Sequence, residues 1–348
     1  MANVNRRGFL STASVGLGST LGAAAMGATA ACGTGAVASG SDGRLPREPW
    51  VASISQEGLW AENYEQMTEM FIERMLEVTP LGPDIICLPE TGPFANLTSP
   101  KPSKAELAEK ATGSVLAKLS EFAREHNCYL WCPLYTAEDG RYYNSLVLID
   151  RKGKVVGEYR KMHPTVGECD SGISPGPTVP PVFETDFGKI GAQICFDIEW
   201  RDGWRQLQAA GAEIVFWSSA FGGGKKLNML AGIHRYNIVS STIKGTSQIC
   251  DIVGETVACT GLWERWLCAP INLERAYLHS WPFYRKFGEI RKKYGQAVRI
   301  KTYHEEEWSI IESRCPDLKV ADVLKEFDIK TYDEVVGEAT DRQQQMRG

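Results

Sequence analysis

Apolar residues return at intervals of three and four along residues 61–78, where Tyr64, Met67, Phe71, Met75 and Val78 recur. A helical turn of 3.6 residues brings these positions to one side, so the spacing predicts an amphipathic helix. Leu107, Ala111, Val115, Leu119 and Phe122 repeat the pattern and predict a second. A different signature follows each helix. Pro83 to Leu88, Tyr129 to Leu134, Ser145 to Ile149, Lys189 to Cys195 and Ile214 to Trp217 are short apolar runs, which predict strands that need cover on both faces. Helix followed by strand, recurring, implies an α/β layered architecture. Leu81-Gly82-Pro83-Asp84-Ile85-Ile86 and Ala210-Gly211-Ala212-Glu213-Ile214-Val215 are also alike, which hints at two related halves.

The ends of the chain break this rhythm. Asn5-Arg6-Arg7-Gly8-Phe9-Leu10 leads into an uncharged Gly/Ala-rich segment reaching Cys32, so residues 1–32 resemble a twin-arginine export signal. Cleavage after Ala28-Thr29-Ala30 and lipidation of Cys32 behind a weak lipobox both remain open. The expected address is the periplasm or cell envelope. Residues 33–48 read as a linker, 49–300 as the main domain, and 301–348 as an acidic extension with twelve acidic against seven basic residues, either a solvated surface arm or a segment packed on a partner subunit.

Composition narrows the class of partner. The formal charge of −5 becomes −7 once Arg6 and Arg7 are lost with the signal, and no dense basic stripe reverses it, which argues against nucleic-acid binding. Nine cysteines follow Cys32, an odd number scattered through apolar runs, so mostly free, buried thiols are expected. The five histidines show no ligand spacing, and no metal or organic cofactor is expected.

Three apolar runs each end in a reactive side chain: Leu88-Pro89-Glu90, Tyr159-Arg160-Lys161 and Gln193-Ile194-Cys195. Taken alone, Cys195 reads as a small core residue. Taken together, the three supply a nucleophile, a base and a cation. A free thiol of pKa roughly 8.5 is mostly protonated at neutral pH, so a base is needed, and Glu90 can take the proton. Lys161, while charged, can stabilise an oxyanion instead.

With Asn144 to Asp150 before the lysine, Pro181 to Gly191 before the cysteine and Gly245 to Gly254 after it, these residues resemble the Glu-Lys-Cys pattern of the nitrilase, or carbon–nitrogen hydrolase, superfamily. The resemblance spans roughly residues 50–280. It implies a four-layer α-β-β-α sandwich, assembly as a homo-oligomer, no cofactor, and hydrolysis through a Cys195 thioester. It also implies Glu90 as general base, and Lys161 with the Phe196 backbone N–H as oxyanion donors. Glu168, seven residues after Lys161, is similar to a second glutamate of the nitrilase branch; the alternative is a surface carboxylate.

Phe196 stands where true nitrilases carry Trp, and Ile198 and Glu199 stand where one carbamoyl-hydrolase branch places arginines. The expected substrate is therefore a small linear amide or ureide, with a nitrile as the alternative. A catalytically inactive exported binding protein, or an acyltransferase passing the thioester to an amine, are the rivals. Asp197 and Glu199 are expected to cap the turn or pair with Arg201 and Arg205, and Asn144 to serve as a hydrogen-bonder in a turn.

Overall fold

A computed structural model describes residues 43–100, 102–108, 112–261 and 263–348. The expected signal over 1–32, Cys32 and most of the 33–48 linker lie outside the described residues. The first predicted helix is present as Tyr64–Val78; the helix Thr112–Glu125 carries Val115, Leu119 and Phe122 of the second, while Leu107 precedes it and Ala111 lies outside the described residues. The first starts where the Asn63 side chain accepts from the Gln66 N–H at 2.9 Å, satisfying one of the donors that a helix start leaves unpaired.

Fifteen strands form three sheets among the described residues. The first half of the domain contributes β1 (Trp50–Ile54), β2 (Ile85–Cys87), β3 (Tyr129–Glu138), β4 (Arg141–Ile149) and β5 (Val155–Arg160). The second half contributes β6 (Val182–Glu184), β7 (Lys189–Ile194), β8 (Ile214–Ser219), β9 (Asn237–Thr242), β10 (Gln248–Cys250) and β11 (Thr256–Cys259). With β12 (Trp266–Pro270), the first sheet runs β12-β1-β2-β3-β4-β5 and the second runs β11-β10-β9-β8-β7-β6. Within them β1, β2 and β3 are parallel, as are β7, β8 and β9.

Three apolar layers account for the stacking. Met67, Phe71 and Met75 with Val115 and Leu119 fill the space between the first two helices and one sheet. Val51, Ile85, Trp131 and Leu146 meet Ile190, Ile194, Phe216 and Val239 between the two sheets. Trp204, Leu207, Leu227 and Ala231, from helices Asp202–Ala209 and Lys225–His234, cover the other face of the second sheet. The order is helix, sheet, sheet, helix: the α/β four-layer sandwich. Serine hydroxyls tie the sheets together across the middle, Ser53 donating to the Ser240 carbonyl and Ser241 to that of Ile54, each at 2.6 Å.

The two similar hexapeptides occupy matching places in the two sheets. In each, a glycine of positive φ, Gly82 at +59° or Gly211 at +82°, closes a helical turn, a conformation that favours glycine because it has no Cβ. The backbone of the acidic residue then bridges two strands: the Asp84 N–H donates to the Trp50 carbonyl and its carbonyl accepts from the Tyr129 N–H, as the Glu213 N–H donates to the Lys189 carbonyl and its carbonyl accepts from the Asn237 N–H.

The C-terminal segment differs from the expected arm. A boundary after residue 300 falls inside β14 (Val298–Tyr303), which pairs with β15 (Trp308–Ser313), itself paired with β13 (Arg275–His279). Leu278, Ile311, Val320 and Val323 give this sheet a core of its own. The Glu305-Glu306-Glu307 run that suggested a solvated tail is the turn between β14 and β15. Within this segment the helix Val320–Glu326 buries Val320, Val323 and Leu324, whereas the helix Tyr332–Arg347 has no buried residue. Among the described residues no helix is long and apolar enough to cross a membrane.

Candidate active site

Glu90, Lys161 and Cys195 each lie just beyond the C-terminal end of a strand: β2, β5 and β7 respectively. β2 and β7 have parallel neighbours and β5 is an antiparallel edge strand; side chains just past the carboxyl end of a strand are fixed by the sheet yet free of its ladder, which is where α/β folds place binding groups. The described structure brings the three together. Lys161 Nζ donates to Glu90 Oε1 at 2.8 Å and to Glu168 Oε2 at 2.7 Å. The Cys195 thiol lies beside the Glu90 carboxylate and the Lys161 ammonium, close enough for both to shift its proton affinity. All three are nearly closed off, with Lys161 only 1% exposed, Glu90 6% and Cys195 8%.

The electrostatics follow from this burial. Desolvation and the neighbouring Glu90 carboxylate push the Cys195 thiol up to about 12, although Lys161 pulls it down. The resting thiol is therefore neutral, and a proton acceptor must act as sulfur attacks. Burial disfavours the Lys161 ammonium, yet Glu90, Cys195 and Glu168 outweigh it and hold the group above its ordinary value. Burial likewise opposes ionisation of Glu168, and Lys161 reverses that, keeping its carboxyl below the usual range.

Two carboxylates around one ammonium leave a negative excess. Asn144 compensates it, its Nδ2 donating to Glu90 Oε1 at 2.9 Å and to Glu168 Oε1 at 2.8 Å. Asn144 sits within β4, not in a turn as its sequence context suggested, and it holds the site's two acids in register. Glu168 is the third residue of the helical turn Val166–Asp170, in a capping box where Thr165 N–H and Oγ1 donate to Glu168 Oε2. It is thus a partner of Lys161 rather than a surface carboxylate.

The turn after β7 is tightly held. Cys195 has φ +46°, a left-handed conformation that costs a non-glycine residue roughly 1–3 kcal/mol. Trp217 Nε1 donates to the Cys195 carbonyl at 3.1 Å. The Ala220 N–H donates to Glu90 Oε2 at 3.0 Å. Phe196 follows in the 3-10 turn Cys195–Glu199, where a backbone N–H at the start of a helical turn has no partner within the turn and is suited to an oxyanion. Asp197 does cap, accepting from the Ile194 N–H at 2.9 Å. Glu199 pairs instead with Lys226, at 2.6 Å.

The sequence reading overlooked His163, which sat among histidines without ligand spacing. Its N–H and Nδ1 both lie against Asp197 Oδ1, at 2.8 and 3.0 Å, and its ring stacks on Trp200 at 4.3 Å and 2°. His163 lies two residues after Lys161 and Asp197 two after Cys195, a matched offset that was available in the sequence. Among the described residues no group of three or more His, Cys, Asp and Glu side chains could hold a metal ion.

Gly176 fixes the lysine from behind. Its N–H donates to the Lys161 carbonyl at 2.8 Å, and a Cβ there would lie 2.4 Å from the Arg160 carbonyl oxygen. Gly176→Ala is expected to destabilise the fold by roughly 1–3 kcal/mol and to slow alkylation of Cys195, measured by urea unfolding and by mass spectrometry. Full stability in the variant would mean that the loop yields without moving Lys161.

Comparison with known proteins places the fold. A family model described as carbon-nitrogen hydrolase matches residues 51–231, just over half of the chain. The chain is 35% identical to β-ureidopropionase of Arabidopsis thaliana over 147 residues, 40% of this chain and 36% of that protein. It is 32% identical to deaminated glutathione amidase of Mus musculus over 181 residues, 46% of this chain and 52% of that protein. The chain thus spans about a third to a half of the length of these curated relatives. An amidase structure from Nesterenkonia sp. superposes with a TM-score of 0.59 at 18% identity, covering 66% of this chain and 91% of that one, a likeness of fold. With its four-layer sandwich and this match, the chain belongs to the carbon-nitrogen hydrolase family.

Proposed function

We propose that this protein hydrolyses the carbon–nitrogen bond of a small linear amide or N-carbamoyl compound through a thioester on Cys195. The observation that carries the reading is the buried cluster in which Lys161 bonds the Glu90 carboxylate at 2.8 Å with the Cys195 thiol beside both. Glu90 takes the thiol proton as sulfur attacks the carbonyl carbon, and the carbonyl electron pair moves onto oxygen. Lys161 and the Phe196 N–H face that oxyanion, an interaction worth about 3–4 kcal/mol in enzymes that use it.

Collapse of the oxyanion breaks the carbon–nitrogen bond, and the nitrogen leaves as ammonia or an amine after receiving the proton held by Glu90. Glu90 then draws a proton from water, whose oxygen attacks the thioester and releases the acid and the thiol. The names of the relatives, a ureidopropionase and amidases, support amides and ureides over nitriles as substrates.

The test is wild-type protein incubated with panels of amides, N-carbamoyl compounds and nitriles, acid-quenched during turnover and read by intact-mass spectrometry. An acyl adduct on Cys195 from one of the first two panels, with wild-type protein releasing the matching acid, is the expected result. Adducts from nitriles alone would overturn the substrate class, and product diverted onto an added amine would turn the reading into acyl transfer. Inertness of the wild type toward all three would favour a binding protein.

A further inference from the structure

Asp197 is a fully buried carboxylate with four donors drawn from three segments. Tyr159 OH, in β5, donates to Oδ2 at 2.6 Å, and the Ile194 N–H, directly before Cys195, donates to the same oxygen at 2.9 Å. The His163 N–H and Nδ1 reach Oδ1. The carboxylate therefore joins the strand and loop that carry Lys161 to the turn that carries Cys195. Hydrogen bonds satisfy much of such a buried charge, and a cation beside it offsets the rest. His163 supplies that cation when protonated, and its ring also faces Asp202, Nε2 to Oδ2 at 3.5 Å.

The other neighbours of the ring carry no charge. Trp200 stacks on it, and Phe196 meets Trp200 edge-on at 5.1 Å, so the aromatic row ends at the residue whose N–H faces the oxyanion. The hydrogen bond to Asp197 raises the His163 pKa above its ordinary value, against the opposing effect of burial.

We propose that His163 is a positioning residue, which through Asp197 holds the Lys161 loop and the strained Cys195 turn at the separation the chemistry needs, and does so most firmly when protonated. This rests on the reading of Cys195 as nucleophile. Because the folded His163 binds its proton more tightly than an unfolded chain would, its contribution is complete below about pH 6.5 and is lost as pH rises through the folded value. The site thus carries an alkaline limit that belongs to neither Glu90 nor Cys195.

The test needs no substrate. The rate of Cys195 alkylation by iodoacetamide is read by peptide mass spectrometry from about pH 5.5 to about 9, spanning the histidine range, with unfolding curves taken alongside. In His163→Ala the rate is expected to fall by roughly ten- to a hundredfold in folded protein, the scale of a small misplacement of reacting groups. His163→Asn can still donate to Asp197 Oδ1 but does not titrate. It is expected to recover most of the rate, with a wild-type advantage at low pH that shrinks toward unity above the His163 pKa. An alanine variant that alkylates like wild type, or a wild-type to asparagine ratio flat in pH, would overturn the proposal. A panel without turnover would sink the proposed hydrolysis while leaving these ratios intact.

Discussion

Cys195→Ala is expected to reduce turnover to the uncatalysed background, a loss of at least about 10⁴-fold in kcat, as for other enzymes that lose a covalent nucleophile. The physical reason is that no other thiol among the described residues has the same surroundings. Cys87 and Cys132, also buried, are pushed up by desolvation alone and have no charged partner, whereas Cys195 has Glu90 to accept its proton and Lys161 to receive the charge that forms. Folding should be little affected, because the substitution removes one atom from a residue at the edge of the intersheet core. The measurement is product release on the first substrate that acylates the wild type, beside an unfolding curve. Retention of more than about a tenth of the activity by a folded variant would remove the thioester scheme, since Glu90 and Lys161 alone offer no nucleophile.

Lys161→Met is expected to cost both activity and stability. Methionine fills a similar volume but leaves Glu90 and Glu168 facing each other with only Asn144 between them. Breaking a buried ion pair by removing one partner typically costs about 3–5 kcal/mol, and here two carboxylates lose the same cation. The pH dependence gives the loss a signature. Glu168 is held below its ordinary value of 4.5 by Lys161, so its favourable contribution is present above that value and disappears as pH falls through the folded one. The stability gap between wild type and variant should be widest near neutrality and narrow in acid. Urea unfolding at several pH values measures it, and a neutral-pH loss under about 1 kcal/mol would mean that the two acids do not depend on Lys161.

Parts of this architecture are legible in one dimension. The helices Tyr64–Val78 and Thr112–Glu125 and strands β2, β3, β4, β7 and β8 are each visible because burial on one face or both leaves a regular apolar pattern. β1, β6 and β9 to β15 escape it, and β5 shows only its end at Tyr159-Arg160. They are short, or mix polar and apolar residues at sheet edges, as Thr256–Cys259 does, and their place depends on the strands beside them. The acidic run at 305–307 misled for the same reason, since a hairpin turn and a free tail share a composition.

The candidate site divides along the same line. The residue types and chain order of Glu90, Lys161 and Cys195 can be read from the sequence, because each reactive side chain ends an apolar run and the strand pattern marks that end. What only the tertiary structure decides is which groups share charge. Nothing along the chain tells which carboxylates Asn144 and His163 meet, yet one bridges Glu90 to Glu168 and the other reaches the buried Asp197, across 54, 24 and 34 residues of chain respectively. Periodicity records what each residue does with its neighbours along an element, whereas a proton's position depends on distances between elements, and these are set by packing two sheets face to face.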